Sequence, residues 1–339
     1  MRAVVFLGQE DIEVQERPDP IPEEDEVLIR VDACGICSTD LHAYKTGMYP
    51  PGLILGHEFA GRVEAVGPGV TEFRPGDRVT ANSGIGCGRC FLCLSGRENL
   101  CEQCFRLGVT DDGAMAEMVK VPRAGVYRIA DGLPLQEACL AEPFSVAWHG
   151  LDQSRFRPGD RVIVVGAGPL GVCLLQVLRM AGAGATWMTE INPARAELAR
   201  YLGADLVLDP RKASPFGVLS DLTNSAMADI AFECAGLPET INQALGLVRR
   251  GGQVVVCGIC DQAVEMDFLS AITSEINIQT TYYSTAGAFA RTLHFLAEGR
   301  LRAKPLITSE IPFERVKESF ETLLHPRSDQ AKVLLRPDL

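Results

Sequence analysis

The run from Arg161 to Met180, RVIVVGAGPLGVCLLQVLRM, constrains the fold of this chain more than any other segment. Its β-branched start reads as a strand buried on both faces, and the apolar residues after it recur at helical spacing. Between the two, Gly166, Gly168 and Gly171 stand in the pattern G-x-G-x-x-G, with Pro169 and Leu170 in the variable positions. Between a strand and a helix, that pattern signifies a dinucleotide-binding turn. The first glycine makes the turn, the second lets backbone amides approach a pyrophosphate, and the third allows close helix–strand packing. The helix N-terminus adds a field that favours the anion. The same strand–helix beat continues through ATWMTEI, PARAELARYLGA, DIAFECAG, PETINQALGLVRRGG and QVVVCGI. Alternation at this spacing predicts an α/β fold, a doubly wound Rossmann sheet of parallel strands with helices on both faces. Glu190 ends the next strand, nineteen residues past Gly171. A carboxylate there can bind both ribose hydroxyls and repels a 2′-phosphate, which favours NAD over NADP. Arg195, five residues on, weakens that preference.

The texture differs on either side of this region. Before residue 150 the chain reads as short strands such as EVLIRVDAC and GRVEAVG, punctuated by Pro and Gly. After Arg302, PLITSEIPFE reads as a strand and a bend, RVKESFETLL as a helix and AKVLLR as a last strand that can return to the first domain. The expected organisation is a discontinuous, β-rich domain of residues 1–149 and 303–339 around a dinucleotide-binding domain of residues 150–302. A length of 339 residues suits two domains. With 47% apolar and 22% charged residues, disorder is excluded. A net charge of −12 argues against nucleic acid as a partner, because counterion release needs clustered Lys and Arg. No apolar stretch approaches the ~18 residues of a membrane helix. The opening MRAVVF runs into GQED without building a signal-peptide core. A soluble cytoplasmic protein is expected.

Twelve cysteines in such a chain point to metal rather than to disulfides. Cys87, Cys90, Cys93 and Cys101 place four thiolates within fifteen residues, able to converge on one tetrahedral Zn²⁺. Gly86, Gly88 and Gly96 let the backbone curl around an ion. An iron–sulfur cluster is the rival, although ferredoxin runs place their last Cys in another register. With all four positions filled no place is left for a substrate, so this reads as a structural zinc. A second constellation is dispersed over CGICSTDLH (34–42), GHEFAG (56–61) and AEPFSV (141–146). Cys37, His57, Glu58 and Glu142 offer one sulfur, one imidazole and two carboxylates, and a catalytic zinc wants about three protein ligands and an open position. Spacing alone does not bring these residues together.

Taken in order, the 34–42 segment, GHE, GDRV (76–79), the four-cysteine lobe, GRENLCE (96–102), the glycine turn and GGQVVVCGI (251–259) resemble the zinc-containing medium-chain alcohol dehydrogenases over nearly the whole chain. The resemblance implies a discontinuous, partly barrel-like β-rich catalytic domain plus a Rossmann domain. Glu142-Pro143 points to the branch of the sorbitol and threonine dehydrogenases, where simple alcohol dehydrogenases supply a second Cys. The resemblance implies Cys37 and His57 as ligands of a catalytic zinc, with Glu58 and Glu142 completing the shell directly or through a water. Cys139 is the rival ligand, and Cys34 and Cys104 are expected to be packing thiols. The implied proton path runs through the Thr39 hydroxyl, a nicotinamide ribose hydroxyl and His42, with Asp40 orienting. The implied cofactors are two zinc ions per chain and NAD. The implied reaction takes a hydride from a secondary alcohol of a polyol, sugar alcohol or sugar phosphate. An L-threonine 3-dehydrogenase is the alternative, and a non-catalytic nucleotide-binding protein on the same scaffold a remote one. Tyr44, Tyr49, Phe105, Arg106 and Tyr283 are candidate pocket residues. A homodimer or homotetramer, pairing edge strands around 254–259 and 277–283, is also implied.

Overall fold

The computed structural model describes residues 1–325 and 328–339. These divide into two units, residues 1–145 with 283–339, and residues 146–282.

The first unit begins with an antiparallel hairpin, β1 (Arg2–Gly8) and β2 (Asp11–Glu16). Next come β3 (Glu26–Gly35), α1 (Ser38–Thr46), β4 (Glu58–Val66) and β5 (Arg78–Ala81). A small lobe follows, with β6 (Gly84–Ile85), the one-turn helix α2 (Phe91–Leu94) and β7 (Phe105–Arg106). The chain goes on through β8 (Met118–Pro122), β9 (Val126–Arg128), α3 (Leu135–Ala138) and α4 (Ala141–Asp152). The unit's seven-stranded sheet has the order β16-β17-β3-β4-β5-β9, with β8 also on β3; β16 is Ile307–Ile311 and β17 is Lys332–Leu335. The C-terminal strand therefore pairs with β3, antiparallel, through Leu334↔Gly35 and Leu335↔Cys34. Phe6, Phe59, Phe313 and Phe320 are buried in one continuous core under this sheet. Each contributes about 1.5–3 kcal/mol of transfer free energy.

The second unit carries a six-stranded, wholly parallel sheet of order β12-β11-β10-β13-β14-β15. Its strands are β10 (Arg161–Val165), β11 (Ala185–Thr189), β12 (Leu206–Leu208), β13 (Ala228–Glu233), β14 (Val248–Val256) and β15 (Asn277–Thr280). A parallel step needs a crossover. Helices α5 (Pro169–Met180), α6 (Pro193–Tyr201), α7 (Pro215–Thr223), α8 (Pro238–Leu247) and α9 (Phe268–Thr273) supply one between each successive pair. This is the strand order of the dinucleotide-binding fold, in which ligands bind at the carboxyl edge where the order reverses, here between β10 and β13. Val162 to Val165 are completely buried, as a strand covered on both faces must be.

Two expectations are corrected. Residues 146–149, expected in the β-rich domain, group with the second unit, and residues 283–302, expected in the dinucleotide-binding domain, group with the first. Helix α10 (Ala286–Ala297) is held there by Phe289 against the Tyr127 ring, 5.0 Å between centroids, and by the Ala286 amide donating to Glu98. The segment VRRGG, read as the end of a helix, is extended and opens β14. Gly251 has φ +70°, and a Cβ on Gly252 would come within 2.8 Å of the Arg249 carbonyl, so this irregular strand start needs its glycine pair. Helix α11 (Val316–Leu324) lies where it is expected.

Candidate active site

Three strand and helix ends meet in the first unit. Cys37 is the N-cap of α1, with extended backbone (φ −90°, ψ 154°). Its sulfur accepts the Thr39 amide at 3.5 Å, and its own amide donates to Asp40 Oδ2 at 2.9 Å. The Thr39 hydroxyl stands 3.5 Å from the same sulfur. His42 follows Thr39 by three residues and therefore lies on the same helix face. His57 immediately precedes β4 and Glu58 opens it, paired with Gly35 across the sheet. A Cβ on Gly35 would lie 2.5 Å from Glu58 Oε2, so only glycine leaves space for this carboxylate.

Donor atoms of Cys37, His57 and Glu58 lie within 4.8 Å of one another. The sequence separates these residues; the β3–α1 turn and the start of β4 bring them together. Asp40 Oδ1 is 3.8 Å from His57 Nδ1. Burial by itself would lower the His57 pKa, but the Cys37 sulfur and the Asp40 carboxylate raise it well above an ordinary histidine. Three buried atoms here, Asp40 Oδ1, His57 Nδ1 and Glu58 Oε2, have no hydrogen-bond partner among the described residues. Buried polar atoms are rarely left so. One sulfur, one imidazole and one carboxylate converging among unmet polar groups is a donor set that fits a zinc ion.

Glu142 lies outside that close set. It sits in the first turn of α4, 6% exposed, and its Oε1 accepts the Ser83 hydroxyl at 2.8 Å. Burial raises its pKa, and the His57 charge works against that rise. Cys139, the rival ligand, is fully buried and its thiol donates to the Gln136 carbonyl at 2.9 Å. Cys34 packs against Gly56, where a Cβ would come within 2.8 Å of its sulfur, and Cys104 lies beside Gly84. One residue that the motifs do not reveal completes the cluster. Lys332, at the start of β17, donates to Glu58 Oε1 at 2.5 Å and to the Ile36 carbonyl at 3.1 Å. Burial would lower its pKa, and the Glu58 and Cys37 charges raise it. Its signal in the sequence is a lysine opening the apolar run VLL.

The four-cysteine lobe also converges. Cys87, Cys90, Cys93 and Cys101 lie within 4.8 Å of one another, all as free thiols. Cys90 is 3.8 Å from Cys101 and Cys87 is 4.0 Å from Cys93. Sulfurs about 2.3 Å from a tetrahedral zinc stand at such spacings. The Arg89 and Cys90 amides draw the Cys87 thiol down to about 6, toward the thiolate that metal binding requires. A Cβ on Gly86 would sit 2.7 Å from the Cys93 sulfur, and Gly88 and Gly96 have φ near +72°.

At the carboxyl end of β10, Gly166 has φ +98° and Gly168 caps α5 without a side-chain hydrogen bond, with Pro169 as the first helical residue. A Cβ on Gly171 would lie 2.0 Å from the Gly166 carbonyl, whereas one on Gly168 would meet nothing, so the turn leaves open space there. Leu170 is half-buried on the same first turn. Glu190 faces the turn: its Oε2 accepts the Ala167 amide at 2.8 Å, and its Oε1 accepts the Ile191 and Asn192 amides at 2.8 and 2.7 Å. Arg195 sits on the first turn of α6, its amide donating to Asn192 Oδ1.

The expected pocket residues divide. Tyr44 and Tyr49 pack in the core, the first on Phe320 at 5.4 Å and the second on Phe6 at 6.5 Å. Phe105 is half-buried against the same core. The Arg106 guanidinium stands 6.0 Å from the centre of the Tyr283 ring.

Comparison with known proteins agrees with this geometry. Residues 23–131 match the alcohol dehydrogenase GroES-like domain, and residues 169–298 match the zinc-binding dehydrogenase family. The sorbitol dehydrogenase of Bacillus subtilis is 34% identical over 345 residues, covering 100% of this chain and 98% of that protein. An L-threonine 3-dehydrogenase of Bacillus licheniformis is 35% identical, covering 94% of each. The structure of the alcohol dehydrogenase from Thermus sp. ATN1 superimposes with a TM-score of 0.92 at 33% identity, over 99% of both chains. The chain belongs to the zinc-type medium-chain alcohol dehydrogenases, in the branch of the sorbitol and threonine dehydrogenases.

Proposed function

We propose that this chain takes a hydride from a secondary alcohol of a polyol, sugar alcohol or sugar phosphate and delivers it to NAD. The observation that carries the reading is the convergence of Cys37, His57 and Glu58 around unmet buried polar atoms. In this reading Cys37, His57 and Glu58 hold the catalytic zinc, with Glu142 close by. Zinc held there supplies Lewis acidity that makes the alcohol a stronger acid. Cys87, Cys90, Cys93 and Cys101 hold a second, structural zinc. The residues around the first site orient and move protons. Asp40 fixes Cys37 through its amide, and its other oxygen faces His57 Nδ1 at 3.8 Å. The Thr39 hydroxyl accepts the alcohol proton as it gives up its own, and His42, one turn along α1, would carry that proton toward solvent once a nicotinamide ribose hydroxyl links the two.

In the second unit, Gly166, Gly168 and Gly171, with Pro169 and Leu170, form the seat for the pyrophosphate. Glu190 disfavours a 2′-phosphate by its charge, while the three amides it accepts hold it against the turn. Arg195 lies at the edge of that seat. The first unit serves as the catalytic domain and the second as the NAD-binding domain. A threonine dehydrogenase is the second reading, favoured by the 35% identity to such an enzyme. Purified protein assayed with NAD against sorbitol, xylitol, a hexitol phosphate and L-threonine decides between them. NADH formed on a polyol or its phosphate supports the first reading, and NADH formed on threonine alone replaces it with the second.

A further inference from the structure

Lys332 is separated from Glu58 by 274 residues, yet it is only 2% exposed and lies against that carboxylate. Val333, Leu334 and Leu335, which follow it on β17, are buried apolar residues. A lysine at such a place costs several kcal/mol to desolvate, and an apolar side chain would fill the position at less cost. Stability alone does not account for it. Its ammonium is spent on Glu58 Oε1 and on the Ile36 carbonyl.

Glu58 is the other half of the arrangement. One of its oxygens is taken by Lys332, and the other, Oε2, is buried with no hydrogen-bond partner among the described residues. Gly35 keeps open the space beside Oε2, since a Cβ there would be 2.5 Å away. Leaving a buried acceptor unsatisfied is destabilising, and leaving a carboxylate so is more costly still. The set that includes Glu58 also holds Cys37 and His57. A carboxylate tied at one oxygen and free at the other is a one-oxygen donor; untied, it can chelate with both.

We propose that Lys332 is a positioning residue, which occupies one oxygen of Glu58 so that this carboxylate offers a single oxygen to a metal held with Cys37 and His57. The metal's remaining position is thereby left to the alcohol. This rests on the reading of that cluster as a metal site. It gives the returning C-terminal strand a part in the chemistry, because β17 brings the lysine to β3 and β4.

The test compares wild type, Lys332→Met, Lys332→Arg, Glu58→Gln and the Lys332→Met/Glu58→Gln double variant. Bound metal is counted, its transfer to a chromophoric chelator is timed, and the visible spectrum of the cobalt-substituted protein is recorded. Cys37→Ser identifies the ion that belongs to this site. In Lys332→Met the second Glu58 oxygen is free. That ion should then be lost about tenfold more slowly, the cobalt bands should weaken as coordination number rises, and turnover should fall about 10–100-fold. Lys332→Arg should behave as wild type. Should Lys332→Met fail to fold, the double variant and Glu58→Gln provide the comparison. They should release metal at the same rate, because the lysine acts through the carboxylate, and a difference between them overturns the proposal. Metal lost faster from Lys332→Met, or at an unchanged rate with an unchanged cobalt spectrum, also overturns it. If wild type and Cys37→Ser hold the same amount of metal, the site reading itself fails.

Discussion

At the scale of single residues, the account depends on side chains whose surroundings leave them one use. Cys37 caps a helix with its sulfur and stands within reach of His57 and Glu58. Cys37→Ser should lower turnover by at least ~100-fold while leaving NAD binding by the second unit intact, measured by nucleotide fluorescence titration. Full activity in that variant contradicts the catalytic-metal assignment. Gly35→Ala forces a methyl group onto Glu58 Oε2 and should cost about 1–3 kcal/mol of stability, read from chemical denaturation. Cys37, His57, Glu58 and Glu142 were legible in the sequence as donor types, since thiol, imidazole and carboxylates are what a metal takes. Their separations in space were not, because Cys37 and the His57–Glu58 pair come together only where β3 pairs with β4, and Glu142 stays outside that close set. Lys332 lay beyond any motif for the same reason: its partner is set by the register of β17 on β3, which local sequence does not encode.

At the scale of elements, the beat of β10, α5, β11, α6, β13, α8 and β14 was readable because each parallel strand is buried on both faces and each helix shows its own period, whereas the short β12, α7 and α9 carry too little pattern to read. The start of β14 was misread because VRRGG continues the polarity of a helix end. The extension there comes from tertiary ties that local propensity does not carry. Asp229 on β13 is one such tie, accepting the Arg249 side chain at 2.7 Å and the Arg161 amide at 2.9 Å. Burial would raise its pKa, but these partners bring it below the ordinary value. A carboxylate depressed in the folded state adds stability above its unfolded pKa of about 3.9, and that stability is lost as pH falls through the folded value. Asp229→Asn should therefore cost about 1 kcal/mol near neutral pH and nothing at strongly acid pH, as urea titrations at several pH values will show. A constant loss across the whole range would assign the effect to packing. In the four-cysteine lobe, Cys90→Ser should release one metal ion and lower the melting temperature. A variant that stays stable but loses hydride transfer alone would mean that the two metal roles are exchanged.

For the whole molecule, β15 is an edge strand of the parallel sheet, with Ile278 36% exposed, and Phe268, Leu269 and Ile272 of the adjacent α9 are 62%, 72% and 66% exposed. An open edge flanked by large apolar side chains is a site for pairing with a second copy. Light scattering should give a dimer or tetramer, and Leu269→Glu should shift it toward the monomer; a monomeric wild type would contradict this. None of the described helices is long and apolar enough to cross a membrane. The family could be read from ordered motifs spread over both units, whereas the substrate could not, because a pocket is shaped by loops whose geometry local sequence does not encode. The central claim is that this chain moves a hydride between a secondary alcohol and NAD with the help of a bound metal. The direct test is NADH formation by the purified protein across polyols, sugar phosphates and L-threonine, before and after removal of metal by a chelator and again after zinc is restored. The account predicts turnover of a polyol or its phosphate, lost on chelation and recovered with zinc. Turnover that survives complete removal of metal from the Cys37 site would contradict it.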